Sequence, residues 1–485
     1  MTPSEPLDVD QIRRDLAAQG DLGLGQVITG PGALDALAGL VSELRRPGGD
    51  VVVLAAATPI TTGGRDLRAI VEEALGASAA VDWAVLGADG LVYADEPTVA
   101  AAASAAAGAG CVITVGSGTV TDIGKAAAPG AAPLIAVQTA TSVNGYADPF
   151  SVLLRRGVKR TTPSRWPDAL IIDPGVLADA PPELNRAGAG DMMAMFTATA
   201  DWYLASAVRG ETQDAGAPDD DRPGDPPYHP AVADLVRSRG PRLLDLAAGL
   251  GSGPDDGALS ELAALLTLSG IAMGVAGSTA PASGMEHAVS HLLEMAATAA
   301  DRPGGADHGN LHGTQVGVAA VVAARTWARV LARIEDGGLD REPVLPDPDA
   351  VRDLLVKEFA SVDPSGAMAA ECFADYARKL RRLAPAGTSP LSSLGAAWPA
   401  HRRVLEKLLI GPAELTAALR AAGLPTRFRD LADPVDDATA RWAVANCARQ
   451  RQRFGVADLA MLLGAWQDAD VDEVLNGDGD EDGPP

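Results

Sequence analysis

The first 180 residues alternate short β-branched runs with alanine-rich stretches of helical spacing, and this alternation narrows the fold more than any other feature. Val51-Val52-Val53-Leu54 reads as a buried strand. After the Thr/Gly turn at 58–64, Leu67, Ile70, Val71 and Leu75 recur at helical spacing. Val81 to Leu86, Cys111 to Val115, Leu134 to Val137 and Ala169 to Ile172 read as further strands, with a helix over Pro97 to Ala107. Strands separated by helices, without close hairpin turns, predict a parallel sheet covered on both faces.

The pattern changes after Pro181-Pro182, where helix follows helix to about residue 465. The expected fold is therefore a Rossmann-like α/β domain over 1–182 and an all-α domain over 183–466. Surface loops are expected at 210–228, 301–309 and 337–349, which are rich in Asp, Pro and Gly. Residues 467–485 are expected to form an acidic disordered tail, since 468–485 hold eight acids and no base. Hydrophobic residues make up 47% but aromatics only 4%, which favours helices packed through small side chains.

The formal charge of −25 argues against a nucleic-acid partner, which needs a basic surface. Cys111, Cys372 and Cys447 are widely spaced and odd in number, so neither a disulfide framework nor a thiolate metal site is expected. Asp8, Asp10, Arg13, Arg14 and Asp15 do not form a secretory leader. The apolar stretches near 262–282 are interrupted by Ser, Gly and Pro, so no membrane insertion is expected. The expectation is a cytoplasmic protein.

Two polar loops follow consecutive strands. The run 111–115 leads into Gly116-Ser117-Gly118-Thr119-Val120-Thr121-Asp122-Ile123-Gly124-Lys125. A glycine pair before a helix suits a phosphate, because backbone and helix dipole both favour an anion there, and Thr119 is a candidate cap. The same residues also suit a plain tight turn, and they match neither Gly-x-Gly-x-x-Gly nor a P-loop. Gln138-Thr139-Ala140-Thr141-Ser142-Val143-Asn144-Gly145 follows the next strand, as a ligand-bearing edge or a hydroxyl-rich connection.

Of six histidines, four fall within 287–312. His287 and His291 share one helix face if the segment is helical, and His312 begins an apolar helical run. Asp191, in Gly188-Ala189-Gly190-Asp191, reads as opening a long helix after a glycine turn. A first-turn acid there complements the helix dipole; equally, one carboxylate and two imidazoles suit catalytic Zn²⁺, Ni²⁺ or Fe²⁺.

Taken in order, Gly-Ser-Gly-Thr-x-x-Asp-x-x-Lys, Thr139-x-x-Ser142-x-Asn144-Gly145, Gly157-Val158-Lys159, Asp173, Ala180-Pro181, Gly190-Asp191, Asp201-Trp202, Glu286-His287-x-x-x-His291 and His312-Gly313 resemble the glycerol-1-phosphate dehydrogenase family. More broadly they resemble the iron-containing alcohol dehydrogenase and dehydroquinate synthase superfamily, over roughly 20–330. The resemblance implies a dehydroquinate synthase-like fold, a homodimer, and a metal held by Asp191, His287 and His312 in a cleft between the two domains. It implies NAD or NADP on Gly116, Ser117, Gly118, Thr119, Asp122, Thr139, Ser142 and Asp148, with Asn144, Lys159 and His291 serving catalysis. The implied substrate is a small phosphorylated polyol or ketone, with hydride transfer between dihydroxyacetone phosphate and sn-glycerol 1-phosphate. Lys159 is the expected phosphate contact, although a plain exposed lysine fits the sequence equally.

Three positions depart from the pattern. Ala55 or a neighbour stands where an acid grips the adenosine ribose, Asn144 where an aspartate faces substrate, and Asp148 where a small serine lies beside the cofactor. A carboxylate at 148 repels phosphates unless it is paired. These departures point to a diverged metal-binding paralogue as one alternative; a sugar-phosphate cyclase or lyase of the dehydroquinate synthase type is the other.

Overall fold

The β-branched runs form the strands expected of them. In a computed structural model describing residues 7–76, 80–87, 92–155, 158–209, 226–252, 256–300, 310–340, 344–384 and 390–477, the strands other than a two-residue antiparallel pair at Thr61–Thr62 and Arg65–Asp66 are β1 (Gln26–Thr29), β2 (Val51–Ala56), β3 (Val81–Leu86), β4 (Cys111–Gly116), β5 (Leu134–Gln138), β6 (Phe150–Arg155), β7 (Val158–Pro163) and β8 (Ala169–Ile172). Six pair in the order β1-β8-β5-β4-β2-β3, all parallel. Alternate residues of β2 feed opposite cores: Val51, Val53 and Ala55 join one, Val52 and Leu54 the other. A strand covered on both faces needs an unbroken apolar run, and β2 has one. Asp82 is tolerated because β3 is an edge strand and the residue is exposed there.

Two elements depart from expectation. β1 was not foreseen, being four residues long and never fully buried. β6 and β7 form an antiparallel hairpin where no hairpin was expected. Of the expected loops at 210–228, 301–309 and 337–349, residues 210–225, 301–309 and 341–343 lie outside the described residues, as do residues 478–485 of the tail.

The helices bearing on the site are α1 (Leu67–Leu75), α2 (Gly118–Ala127), α3 (Pro182–Met193), α4 (Met195–Arg209), α5 (Asp256–Ala276), α6 (Met285–Ala299), α7 (His312–Glu335), α8 (Val456–Leu462) and α9 (Asp468–Asn476). Chain contacts divide the protein into two units. The first comprises 1–192, 241–277 and 421–424, the second 193–240, 278–420 and 425–485. α5 belongs to the first unit and is an unbroken helix, despite the Ser and Gly read as interruptions. Its span Gly257–Ala276 is long and apolar enough to cross a membrane, but 89% of that window is buried, as in a core helix.

α9 overturns the expectation of disorder from residue 467 onward. Val471 and Val474 are buried, and the acids around them have partners. Arg441 pairs with Asp468 at 3.1 Å and Asp472 at 2.7 Å, while Arg329 pairs with Asp470 and Glu473. Asp468 and Asp470 also occupy the first turn, where the helix dipole favours them.

Candidate active site

The carboxyl edge of the parallel sheet carries both polar loops. Gly116 at the end of β4 pairs with Gln138 at the end of β5, so the glycine turn and the loop from 138 begin side by side. Ser117, not Thr119, is the N-cap of α2, and its side chain makes no capping bond. The first-turn N–H groups have no intrahelical acceptor, as at any helix start. The glycines have separate reasons. A Cβ on Gly118 would lie 2.4 Å from Val143 Cγ2, and one on Gly124 would lie 2.1 Å from Thr114 Cγ2. The first lets the two loops meet; the second lets α2 lie close on the sheet.

The second loop is held rigidly. Asn185 Oδ1 accepts both the backbone N–H and the hydroxyl of Thr141, each at 2.9 Å, and Asn185 Nδ2 donates to Leu177 O. Tyr146 donates to Gly116 O at 3.3 Å, tying one loop to the other. Asn144 donates to Ser269 Oγ on α5 at 3.1 Å. α5 can come this near because Gly270 has no Cβ, which would sit 2.7 Å from Asn144 O. Thr139 and Ser142 are buried within the same loop.

Asp148, the carboxylate out of place in the sequence, is paired. Lys125 Nζ lies 3.0 Å from both Asp148 Oδ1 and Asp122 Oδ1, with Gly145 O and Phe150 O also accepting from it. Asp122 accepts the Val152 N–H and Asp148 the Phe150 N–H. Burial pushes the Asp148 carboxyl up to about 6, with Asp122 adding to the shift and Lys125 opposing it. Burial likewise raises Asp122, and Lys159 on β7 opposes that rise through its charge. Burial by itself would lower Lys125, yet Asp122 and Asp148 together hold it above the ordinary lysine range. Asp122, expected at the cofactor, is thus engaged inside the unit, and Lys125, quoted in the sequence motif without a role, is what engages it. Its spacing of three from Asp122 on a helix was the available signal.

Asp191 does not open a helix. It lies buried in the last turn of α3, which begins nine residues earlier at Pro182. Gly188 is helical too, and serves close approach: a Cβ there would stand 1.7 Å from Thr141 O. A carboxylate at this end opposes the helix dipole, so the dipole-complementing alternative falls away.

In the second unit, α6 and α7 bring three histidines together. Ring centroids lie 5.3 Å apart for His287 and His312, 5.8 Å for His291 and His312, and 6.2 Å for His287 and His291. Buried Glu286 holds His287 Nδ1 at 3.0 Å, and buried Glu294 holds His312 Nδ1 at 2.9 Å. Each imidazole is thus engaged by a carboxylate at Nδ1, the pairing that orients histidines in metal sites. Burial would raise Glu286, but hydrogen bonds from His287 and Thr197, with the charge of His287, hold it below the ordinary carboxylate range. Potential ligand atoms of His291, Glu294 and His312 also lie within 4.8 Å of one another. Glu294 was not singled out in the sequence, where nothing distinguishes it from a surface acid.

One further carboxylate sets the start of α6. Asp201 on α4 accepts the Met285 N–H at 2.8 Å through Oδ2 and the Val456 N–H at 2.9 Å through Oδ1, capping α6 and α8 together. Burial, with the charge of Glu286, pushes its carboxyl up to about 7. Arg451 and Arg453 fasten the preceding loop by donating to Gly284 O and Ser283 O.

Comparison with known proteins agrees with this architecture. Residues 28–181 match the family model for iron-containing alcohol dehydrogenase. A glycerol-1-phosphate dehydrogenase [NAD(P)+] of Hyperthermus butylicus is 31% identical over 293 residues, 59% of this chain and 74% of that protein. One from Bacillus velezensis is 34% identical over 193 residues, 40% of this chain and 45% of that protein. The chain spans about half the length of several such relatives. A probable glycerol dehydrogenase from Sinorhizobium meliloti has the same fold, with a TM-score of 0.56 at 16% identity over 93% of this chain and 96% of its own.

Proposed function

This chain belongs to the glycerol-1-phosphate dehydrogenase family of iron-containing alcohol dehydrogenases, and from that premise we propose that it transfers hydride reversibly between sn-glycerol 1-phosphate, or a related polyol phosphate, and NAD or NADP. The ketone partner is dihydroxyacetone phosphate. Asp191, His287 and His312 are the ligands proposed for one divalent ion, Zn²⁺, Ni²⁺ or Fe²⁺. The observation that carries this reading is the pair of imidazoles each held at Nδ1 by a buried carboxylate. When bound, such an ion polarises the carbonyl or steadies the alkoxide.

The remaining roles fall to the chain itself. The first turn of α2, with Gly116, Ser117, Gly118 and Thr119, receives the pyrophosphate, and Thr139 and Ser142 line the nicotinamide. A bound nicotinamide would supply the hydride acceptor, and His291 would take the hydroxyl proton that the carbinol releases on oxidation. Asn144 orients substrate by hydrogen bonding and takes no proton. Lys159 contacts the substrate phosphate. Pairing of Asp148 with Lys125 removes the objection that its carboxylate repels a nucleotide, which favours the dehydrogenase over a diverged paralogue.

The test is metal analysis and cofactor titration on one sample, followed by assay in both directions. Stoichiometric metal, cofactor binding and turnover of glycerol 1-phosphate are expected. Metal-loaded protein that neither oxidises glycerol 1-phosphate nor reduces dihydroxyacetone phosphate with either cofactor would reject the substrate assignment. NAD retained through purification, with no net NADH in turnover, would favour the cyclase or lyase.

A further inference from the structure

We infer that Arg68 recognises the 2′-phosphate of NADP and so sets the choice between the two nicotinamide cofactors; this rests on the cofactor reading above. β2 is the immediate neighbour of β4, and Ala55 pairs with Val115 one residue before the glycine turn. In a dinucleotide-binding sheet the adenosine ribose lies beyond a strand end beside the pyrophosphate turn, where an acid accepts both ribose hydroxyls. Here the strand ends Leu54-Ala55-Ala56-Ala57-Thr58, which offers no carboxylate.

What stands at that end is a cation. Arg68, the second residue of α1, donates through Nη2 to the carbonyls of Ala56 and Ala57, the latter at 3.5 Å. These bonds fix the guanidinium at the end of β2 while Nη1 and Nε remain for another acceptor. The neighbouring charges are already engaged. Asp66 Oδ1 accepts the Arg68 N–H, Arg65 pairs with Glu73, and Asp179 accepts the Gly63 N–H. Arg68 has no carboxylate in ion-pair reach among the described residues. Its planar fork of N–H donors matches a phosphomonoester dianion. The absent acid and the placed arginine favour the same ligand: each independently disfavours a bare ribose relative to a phosphorylated one.

The test is calorimetric titration of the full chain and its Arg68→Ala and Arg68→Lys variants with NADPH, NADH, adenosine 2′,5′-bisphosphate and ADP. Wild-type protein should bind NADPH at least tenfold more tightly than NADH. Arg68→Ala should weaken NADPH and the 2′,5′-bisphosphate tenfold or more while leaving NADH and ADP within twofold. Arg68→Lys should fall between. Equal losses for phosphorylated and unphosphorylated ligands, or no loss in Arg68→Ala, would overturn the assignment. Failure of the wild type to bind any nicotinamide nucleotide would instead overturn the cofactor reading beneath it.

Discussion

Glu294 Oε1 lies 2.9 Å from Nδ1 of His312, so the ring is fixed in tautomer and direction before any ion arrives. Outer partners of this kind typically contribute 10–100-fold in metal affinity. Glu294→Gln should therefore lower metal affinity by about that factor, and His287→Ala should abolish retention altogether. Elemental analysis after dialysis measures both; a His287→Ala protein still carrying stoichiometric metal would remove His287 from the ligand set.

Lys125 pairs with two buried acids, and its loss strands both. Removing one partner of a buried ion pair typically destabilises by about 3–5 kcal/mol. Lys125→Met should lie in that range by urea denaturation, whereas Asp148→Ser should lose far less, because the Lys125–Asp122 pair survives. Equal losses in the two variants would show that the lysine does not serve both carboxylates.

The same group gives a pH signature. The Asp148 carboxyl is raised from 3.8 to about 6 by burial, so the folded chain holds this proton more tightly than the unfolded chain. The contribution is therefore present below the unfolded value and is lost as pH rises through about 6. Asp148→Ser should show a flatter fall in stability between pH 4 and 6 than wild type. A parallel pair of curves from urea midpoints would contradict this.

Gly188 tests the close contact of α3 with the second loop. A Cβ cannot share space with Thr141 O, so Gly188→Ala must shift the helix or the loop. Overpacking of this kind costs about 1–3 kcal/mol. Nicotinamide binding should fall along with stability, since Thr139 and Ser142 move with Thr141. Unchanged cofactor affinity would separate the loop from the nucleotide.

Strands such as β2 and β4 were legible because each is one apolar run buried on both faces. β1 was not, since Gln26 to Thr29 is too short to show a period and takes its place from pairing with β8. Asp191 was placed at the wrong end of its helix for a different reason. Glycine reads locally as a breaker, and only the nearness of Thr141 shows why α3 keeps one in its interior. The histidines stood out by rarity. Lys125 and Glu294 did not, because a buried charge looks in sequence like a solvated one until its partner is known. The tail misled likewise, its acids being answered by Arg329 and Arg441 far away along the chain.

Asp201 gives the order of synthesis a bearing on the histidine cluster. Its carboxylate caps α6, which carries His287 and His291, and α8, which begins only at Val456. On the ribosome, the histidine helix is made long before Arg451, Arg453 and α8 exist to close around its start. The second unit should therefore mature late, as a post-translational step. Pulse proteolysis of nascent chains stalled before and after residue 456 would detect it, and equal protection of α6 in both would mean that the cap is not needed.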